Sequence, residues 1–202
     1  MLARALNLIY IDTGSMYRAV ALAVIEAGLN PSDSDAVTSL AERLDIDLKG
    51  DPDSLRVLSD GRDVTELIRT ERVTEVSSIV SAISGVRRAM VARQRAIGRR
   101  GAVLNGRDIG TIVFPDADYK FFLTAAAEER AERRFKEDIL TDPTTSLAET
   151  FAEMTERDQR DSTRSDSPLK VADDAVVVDS TGMSIDEVFQ VMLKAVKGES
   201  AP

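Results

Sequence analysis

Ile9-Tyr10-Ile11-Asp12-Thr13-Gly14-Ser15-Met16-Tyr17-Arg18 decides how this chain is read. A β-branched strand breaks at a turn of small polar residues and then enters a helix carrying Tyr17 and Arg18. Peptide N–H groups at the start of such a helix, helped by its dipole, stabilise a negative ligand, and Arg18 can add a bidentate contact to phosphate. An ordinary strand-to-helix turn with a solvated arginine is the competing account, and four later segments weigh against it.

Working outward, the pattern is one of alternating strands and helices without repeats or a long linker. Residues 2–7 read as the tail of a helix, 8–12 as a buried strand, 15–28 as a helix ended by Gly28, and 33–44 as another helix. Between 45 and 65 the period changes to two, and Ser59-Asp60-Gly61-Arg62 reads as a turn, which predicts a small β insertion. Helical spacing returns over 70–99. Ala102-Val103-Leu104 and Lys120-Phe121-Phe122-Leu123 read as buried strands, 126–137 as a charged helix, and Thr141–Ser146 as a polar break before a helix over 147–160. Ala175–Asp179 is the last strand, before an amphipathic C-terminal helix. Short apolar strands between helices predict an α/β fold with a parallel sheet covered on both faces, where ligands bind beyond the carboxyl ends of the strands.

Composition limits the chemistry. The 202 residues suit one domain, or one domain with an insertion, and contain no cysteine and no histidine. Thiolates, disulfides and imidazoles are therefore excluded, leaving carboxylates, arginines, lysines, hydroxyls, backbone groups and an oxygen-bound Mg²⁺. A net charge of −9 disfavours nucleic acid and anionic membranes as partners but leaves room for a local basic pocket. No apolar run reaches the length of a membrane span, so a cytoplasmic protein is expected.

The motifs gather at the strand ends. Asn105-Gly106-Arg107-Asp108 directly follows a strand, so Gly106 permits close backbone approach while Arg107 and Asp108 project into the crevice. An arginine there can hold phosphate, and a carboxylate can accept from an amino group. Arg87, Arg88, Arg93 and Arg95 form a basic stretch in an acidic protein. Glu129, Arg130, Arg133 and Arg134 could be no more than helix-surface pairs. Arg157, Asp161 and Arg164 fall on one face if their helix continues through them, and such a face could close over a polyphosphate. Structural salt bridges are the alternative.

In order and spacing these segments resemble the bacterial cytidylate kinase family, nearly from end to end. The landmarks are Ile11–Arg18, Val86-Arg87 with Gln94-Arg95, Gly106-Arg107-Asp108-Ile109-Gly110-Thr111, Glu129-Arg130-Ala131 with Arg133-Arg134, and Glu156-Arg157-Asp158 through Arg164. The resemblance implies a P-loop nucleoside monophosphate kinase-like fold and ATP-dependent phosphorylation of CMP or dCMP with Mg²⁺. It implies a single kinase domain over 1–202, a monophosphate-binding insertion near 40–76 and a mobile lid near 133–160. Carried over residue by residue, it places Thr13, Tyr17, Arg18 and Arg107 around the acceptor phosphate, and Ser78, Arg87, Asp108 and Arg164 on the cytosine. Arg157 and Asp161 match contacts to the sugar and nearby phosphate, and Arg130, Arg133 and Arg134 match donor-side or lid arginines. Among these Arg18, Arg107 and Arg157 are the expected catalytic residues. A monomer is expected, since these motifs account for a site without a second subunit.

Two departures stand out. No G-x-x-x-x-G-K-[ST] loop occurs in the 202 residues, and Met1–Leu6 resembles the latter part of the helix that follows that loop. The expectation is that a central strand and phosphate loop belong ahead of this start. Asn105 stands where family members commonly carry Asp or Glu, and an amide brings no charge to Mg²⁺. A silent CMP-binding or regulatory module, or an inactive fragment, is the alternative expectation.

Overall fold

The computed structural model describes residues 1–50, 54–140, 142–164 and 166–198. Residues 51–53 of the expected insertion, 141 of the expected lid and the terminal 199–202 lie outside this set. The chain divides into two compact units, Met1–Val113 and Phe114–Pro202.

The first unit is built on a parallel strand pair. After a short helix α1 (Leu2–Ala5) comes β1 (Ile9–Asp12), which pairs with β5 (Ala102–Asn105) from Ile9 opposite Ala102 to Asp12 opposite Asn105. Both strands therefore deliver a polar residue to the same carboxyl end. Helix α2 (Thr13–Glu26) begins two residues before its expected start, because the Asp12 side chain accepts from the Gly14 N–H and caps it. Gly28 turns the chain at φ 64°, as a helix stop requires. Helix α3 (Ser34–Arg43) starts at an Asp33 cap. The periodic stretch over 70–99 resolves into α4 (Glu71–Val80) and α5 (Ser84–Gly98), since Ile83 takes an extended conformation between them.

Helix α2 is buried on nearly every side, with Met16, Ala19, Val20, Ala21 and Val24 wholly inaccessible. Val37 of α3, Val73, Val76 and Val80 of α4, and Val86 and Met90 of α5 complete the core, with Ile11 of β1. Gly85 lets α5 approach α3: a Cβ there would stand 2.8 Å from Thr38 Cβ.

The expected β insertion is present as an antiparallel ribbon, β2 (Ile46–Lys49), β3 (Arg56–Ser59) and β4 (Arg62–Asp63). Its turn uses left-handed Asp60 (φ 49°) and Gly61 (φ 78°). Thr65 donates to Asp63 through its hydroxyl (2.6 Å) and its N–H (3.0 Å), and Arg56 adds a third bond. Together they hold the Asp63 carboxyl down at about 2.

The second unit carries β6 (Phe121–Thr124) parallel to β7 (Val176–Asp179), with helices α6 (Ala127–Asp138), α7 (Leu147–Thr163) and α8 (Ile185–Lys197). Capping boxes at Ser146 with Glu149 and at Ser184 with Glu187 start α7 and α8. Helix α7 runs to Thr163, past its expected end at 160. The parallel strands and flanking helices match the expected α/β class. Full burial of the strands does not hold, however: Ile9 is 47 % exposed, Leu123 53 % and Val177 56 %. That expectation presumes a wide sheet between helix layers, whereas among the described residues each parallel pair has only two strands and so two open edges.

Gly85→Ala should lower stability by about 1–3 kcal/mol, the range for overpacking, as read by denaturant unfolding. Asp63 also predicts a pH dependence. Its folded pKa lies below its unfolded value, so its contribution is complete above about 4 and is lost as pH falls through about 2. Asp63→Asn should lower the melting temperature at neutral pH, and that difference should close in strong acid.

Candidate functional site

In the first unit, the carboxyl ends of β1 and β5 and the start of α2 form one polar cluster. Thr13 is buried, and its hydroxyl donates to the Asn105 carbonyl at 2.8 Å, tying the start of α2 to the end of β5. The contact needs a bare Gly106, where a Cβ would meet Ile109 Cδ1 at 2.7 Å and Thr13 Oγ1 closer still. This is the close approach expected at Gly106. Arg18 lies half-buried across the same turn, donating from Nη2 to Asp12 Oδ2 at 3.1 Å. Burial pushes the Tyr10 hydroxyl above its ordinary pKa, against a hydrogen bond from the Asn105 side chain. Arg107 follows, half-buried.

Deeper in the same unit, Arg87 and Asp108 form a buried ion pair, 3 % and 5 % exposed. Arg87 also donates to the Ser81 carbonyl at 3.1 Å, and its guanidinium lies 5.5 Å from the centre of the Tyr17 ring. Ser78 is half-buried on the last turns of α4, where its carbonyl accepts from Ser81 Oγ. The first unit thus brings Thr13, Tyr17, Arg18, Ser78, Arg87, Arg107 and Asp108 onto α2, α4, α5 and the segment after β5.

Three contributors lie in stretches singled out from the sequence but have roles it did not assign. Ile109–Val113 forms a π-helical turn that hangs from Asp108, whose carbonyl accepts from the N–H groups of Ile112 (2.9 Å) and Val113 (3.2 Å). Arg95 closes its far end by donating to the carbonyls of Ile112 (2.6 Å) and Val113 (2.8 Å). No sequence period marks such a turn, which is often found at functional sites. Asp12 is the third, and its place before Thr13-Gly14 could have been read as a helix cap.

The second unit holds the remaining expected residues. Helix α7 continues through Arg157 and Asp161, and Arg164 caps it. Arg164 donates to Asp161 Oδ1 at 3.1 Å and to the Ser167 carbonyl, with both side chains largely covered. Arg157 is instead 58 % exposed, 4.0 Å from Asp161. Arg130 pairs with Asp158 at 2.6 Å, joining α6 to α7. Arg133 binds Glu129, both the hydroxyl and carbonyl of Ser180, and the Met183 carbonyl through its two terminal nitrogens, which fastens α6 to the turn after β7. The depression beside it is lined by Glu128, Glu129 and Glu132 against Arg133 and Lys136, a poor seat for a polyphosphate. Arg134 is exposed and pairs with Glu137 and Asp138 of its own helix.

Among the described residues no three acidic side chains gather as a metal site, and no helix is long and apolar enough to cross a membrane. The chemistry this arrangement offers is recognition of an anion by arginines and a helix N-terminus, next to a buried polar pair that can read a planar group.

The family model described as "Cytidylate kinase" matches residues 1–198. The cytidylate kinase of Geobacter sp. (strain M21) is 46 % identical over 198 residues, 98 % of this chain and 85 % of that protein. That of Solibacter usitatus is 49 % identical over 97 % of this chain and 84 % of its own length. The cytidylate kinase of Desulforamulus reducens is 52 % identical over 92 % of this chain and 84 % of its own.

Removing one partner of the buried pair strands the other. Arg87→Met should cost about 3–5 kcal/mol in unfolding free energy, while the double variant Arg87→Met, Asp108→Leu should recover much of that loss.

Proposed function

This chain belongs to the cytidylate kinase family, and on that premise we propose that it transfers the γ-phosphate of ATP to CMP or dCMP. The observation that carries the reading is the buried Arg87–Asp108 pair against Tyr17. Cytosine offers an amino donor next to carbonyl and ring-nitrogen acceptors, and it needs a carboxylate on one side with guanidinium or hydroxyl donors on the other. Asp108, Arg87 and Ser78 supply that set, and Arg164 is assigned to the same base.

The start of α2 suits the acceptor phosphate. Thr13, Tyr17, Arg18 and Arg107 surround it in this proposal, with the α2 dipole adding to their charge. Arg157 and Asp161 are assigned to the sugar and the nearby phosphate. The attacking atom is already a phosphate oxygen, so the protein needs no strong general base. Catalysis is positioning and charge stabilisation, for which arginines suffice, and Arg18, Arg107 and Arg157 are assigned to it.

ATP enters as its Mg²⁺ complex, the ion being carried mainly by the substrate's phosphates. Arg130, Arg133 and Arg134 are assigned to the donor side or lid. The β ribbon is assigned to the monophosphate-binding insertion and the region near 133–160 to the lid. Consumption of ATP and CMP suits the cytoplasm.

The test is CDP formation from CMP and MgATP, paired with calorimetric titration of CMP. Arg107→Ala should reduce kcat/KM by about a hundredfold or more, the scale of losing one charge contact to the transferring group. Unchanged turnover in that variant would remove the assigned role. Binding of CMP without turnover would favour a silent module, and absence of CMP binding would overturn the reading.

A further inference from the structure

One carboxylate at the acceptor end is not used by the scheme above, that of Asp12. Its two oxygens are divided. Oδ1 accepts from the Gly14 N–H at 3.1 Å and caps α2, while Oδ2 accepts from Arg18 Nη2 at 3.1 Å. Arg18 and Asp12 side chains are 31 % and 27 % exposed, so the pair is partly covered but still reached by solvent. Gly14 leaves room for it: a Cβ there would stand 3.2 Å from Asp12 Oδ1 and 3.5 Å from Arg18 Nη1. The guanidinium therefore lies over the first turn of α2, whose N–H groups have no intrahelical partners and where Asp12 takes that of Gly14.

Resting on the acceptor-site reading, we propose that Asp12 is a positioning residue for the acceptor phosphate. Its Oδ2 fixes the Arg18 guanidinium over the α2 N-terminus by one nitrogen and leaves Nη1 to the phosphate. An arginine ordered before the ligand arrives does not lose its rotamer freedom on binding. Asp12 is bound to the strand by the β1–β5 ladder and to the helix by its cap, so it is itself fixed from both directions. Its negative charge also opposes a second anion, and the proposal holds that ordering of Arg18 outweighs that repulsion.

Asp12→Asn separates the two duties. Asparagine caps a helix as well as aspartate does, but in the capping orientation it presents an NH₂ to Arg18 in place of Oδ2. Calorimetric titration with CMP and with cytidine, which lacks the phosphate, reads the difference. The expected result is CMP binding weakened by about tenfold, roughly one charge-assisted contact. Cytidine binding and the melting temperature should not change, and the Asp12→Asn loss should vanish in an Arg18→Ala background.

CMP binding that is unchanged or tighter in Asp12→Asn would overturn the proposal, making Asp12 a cap alone or a competitor for Arg18. A loss shared equally by CMP and cytidine, or one that persists without Arg18, would overturn it in favour of a structural role. Should Asp12→Asn not fold, Asp12→Ser, which also caps, repeats the test. Wild-type protein that binds no CMP would bring down the acceptor-site reading itself, a result distinct from any of these.

Discussion

The contact between the Thr13 hydroxyl and the Asn105 carbonyl, made possible by a glycine at 106, fixes the geometry on which the site in the first unit depends. Parallel pairing of β1 and β5 brings two distant chain segments to the same edge, but pairing alone does not say how the following backbone leaves the sheet. The Thr13 bond does. It ties the start of α2 to the last residue of β5, so that Arg18 on one side and Arg107 and Asp108 on the other are set by one junction. A side chain at 106 would force that junction apart, and both halves of the site would move with it.

From this junction inward, polarity is carried into a region that is otherwise apolar. Burying Arg87 and Asp108 among α2, α4 and α5 costs several kcal/mol of desolvation per ion, which their mutual attraction offsets only when further hydrogen bonds complete the geometry. The Ser81 carbonyl and the Tyr17 ring supply part of that completion. An apolar pair of similar volume should recover much of the stability that removing one ion alone destroys. Such a pair is weak evidence for stability, and in the proposed reading its charges serve recognition of the base.

Much of this was legible in the sequence because it rests on local rules. The Ile9–Arg18 strand-turn-helix, the Gly28 stop and the ribbon turn at Asp60-Gly61 follow from periodicity, caps and left-handed residues. Strand burial was misjudged because a run such as Val176–Val178 signals apolarity, while its cover depends on neighbours that no local pattern specifies. The π-helical turn after Asp108 was invisible for a related reason. It is held by Arg95 from a distant helix, so its cause is tertiary. The role of Arg133 was likewise hidden, since its spacing on α6 looks like any helix-surface pair until the turn after β7 is seen to take its donors.

An acidic chain that is to bind anions must keep its positive charge local, and four of the arginines assigned above have carboxylate partners. Arg18 has Asp12, Arg87 has Asp108, Arg130 has Asp158, and Arg164 has Asp161. A guanidinium carries five N–H donors in a rigid fork, so a carboxylate on one edge leaves the other edges available. Pairing therefore orders the cation without neutralising its capacity to donate. Lysine could not be used in the same way, because a flexible point charge held by one partner keeps no fixed direction for the next. That distinction accounts for a set of assigned residues containing eight arginines and no lysine, in a chain whose total charge is −9.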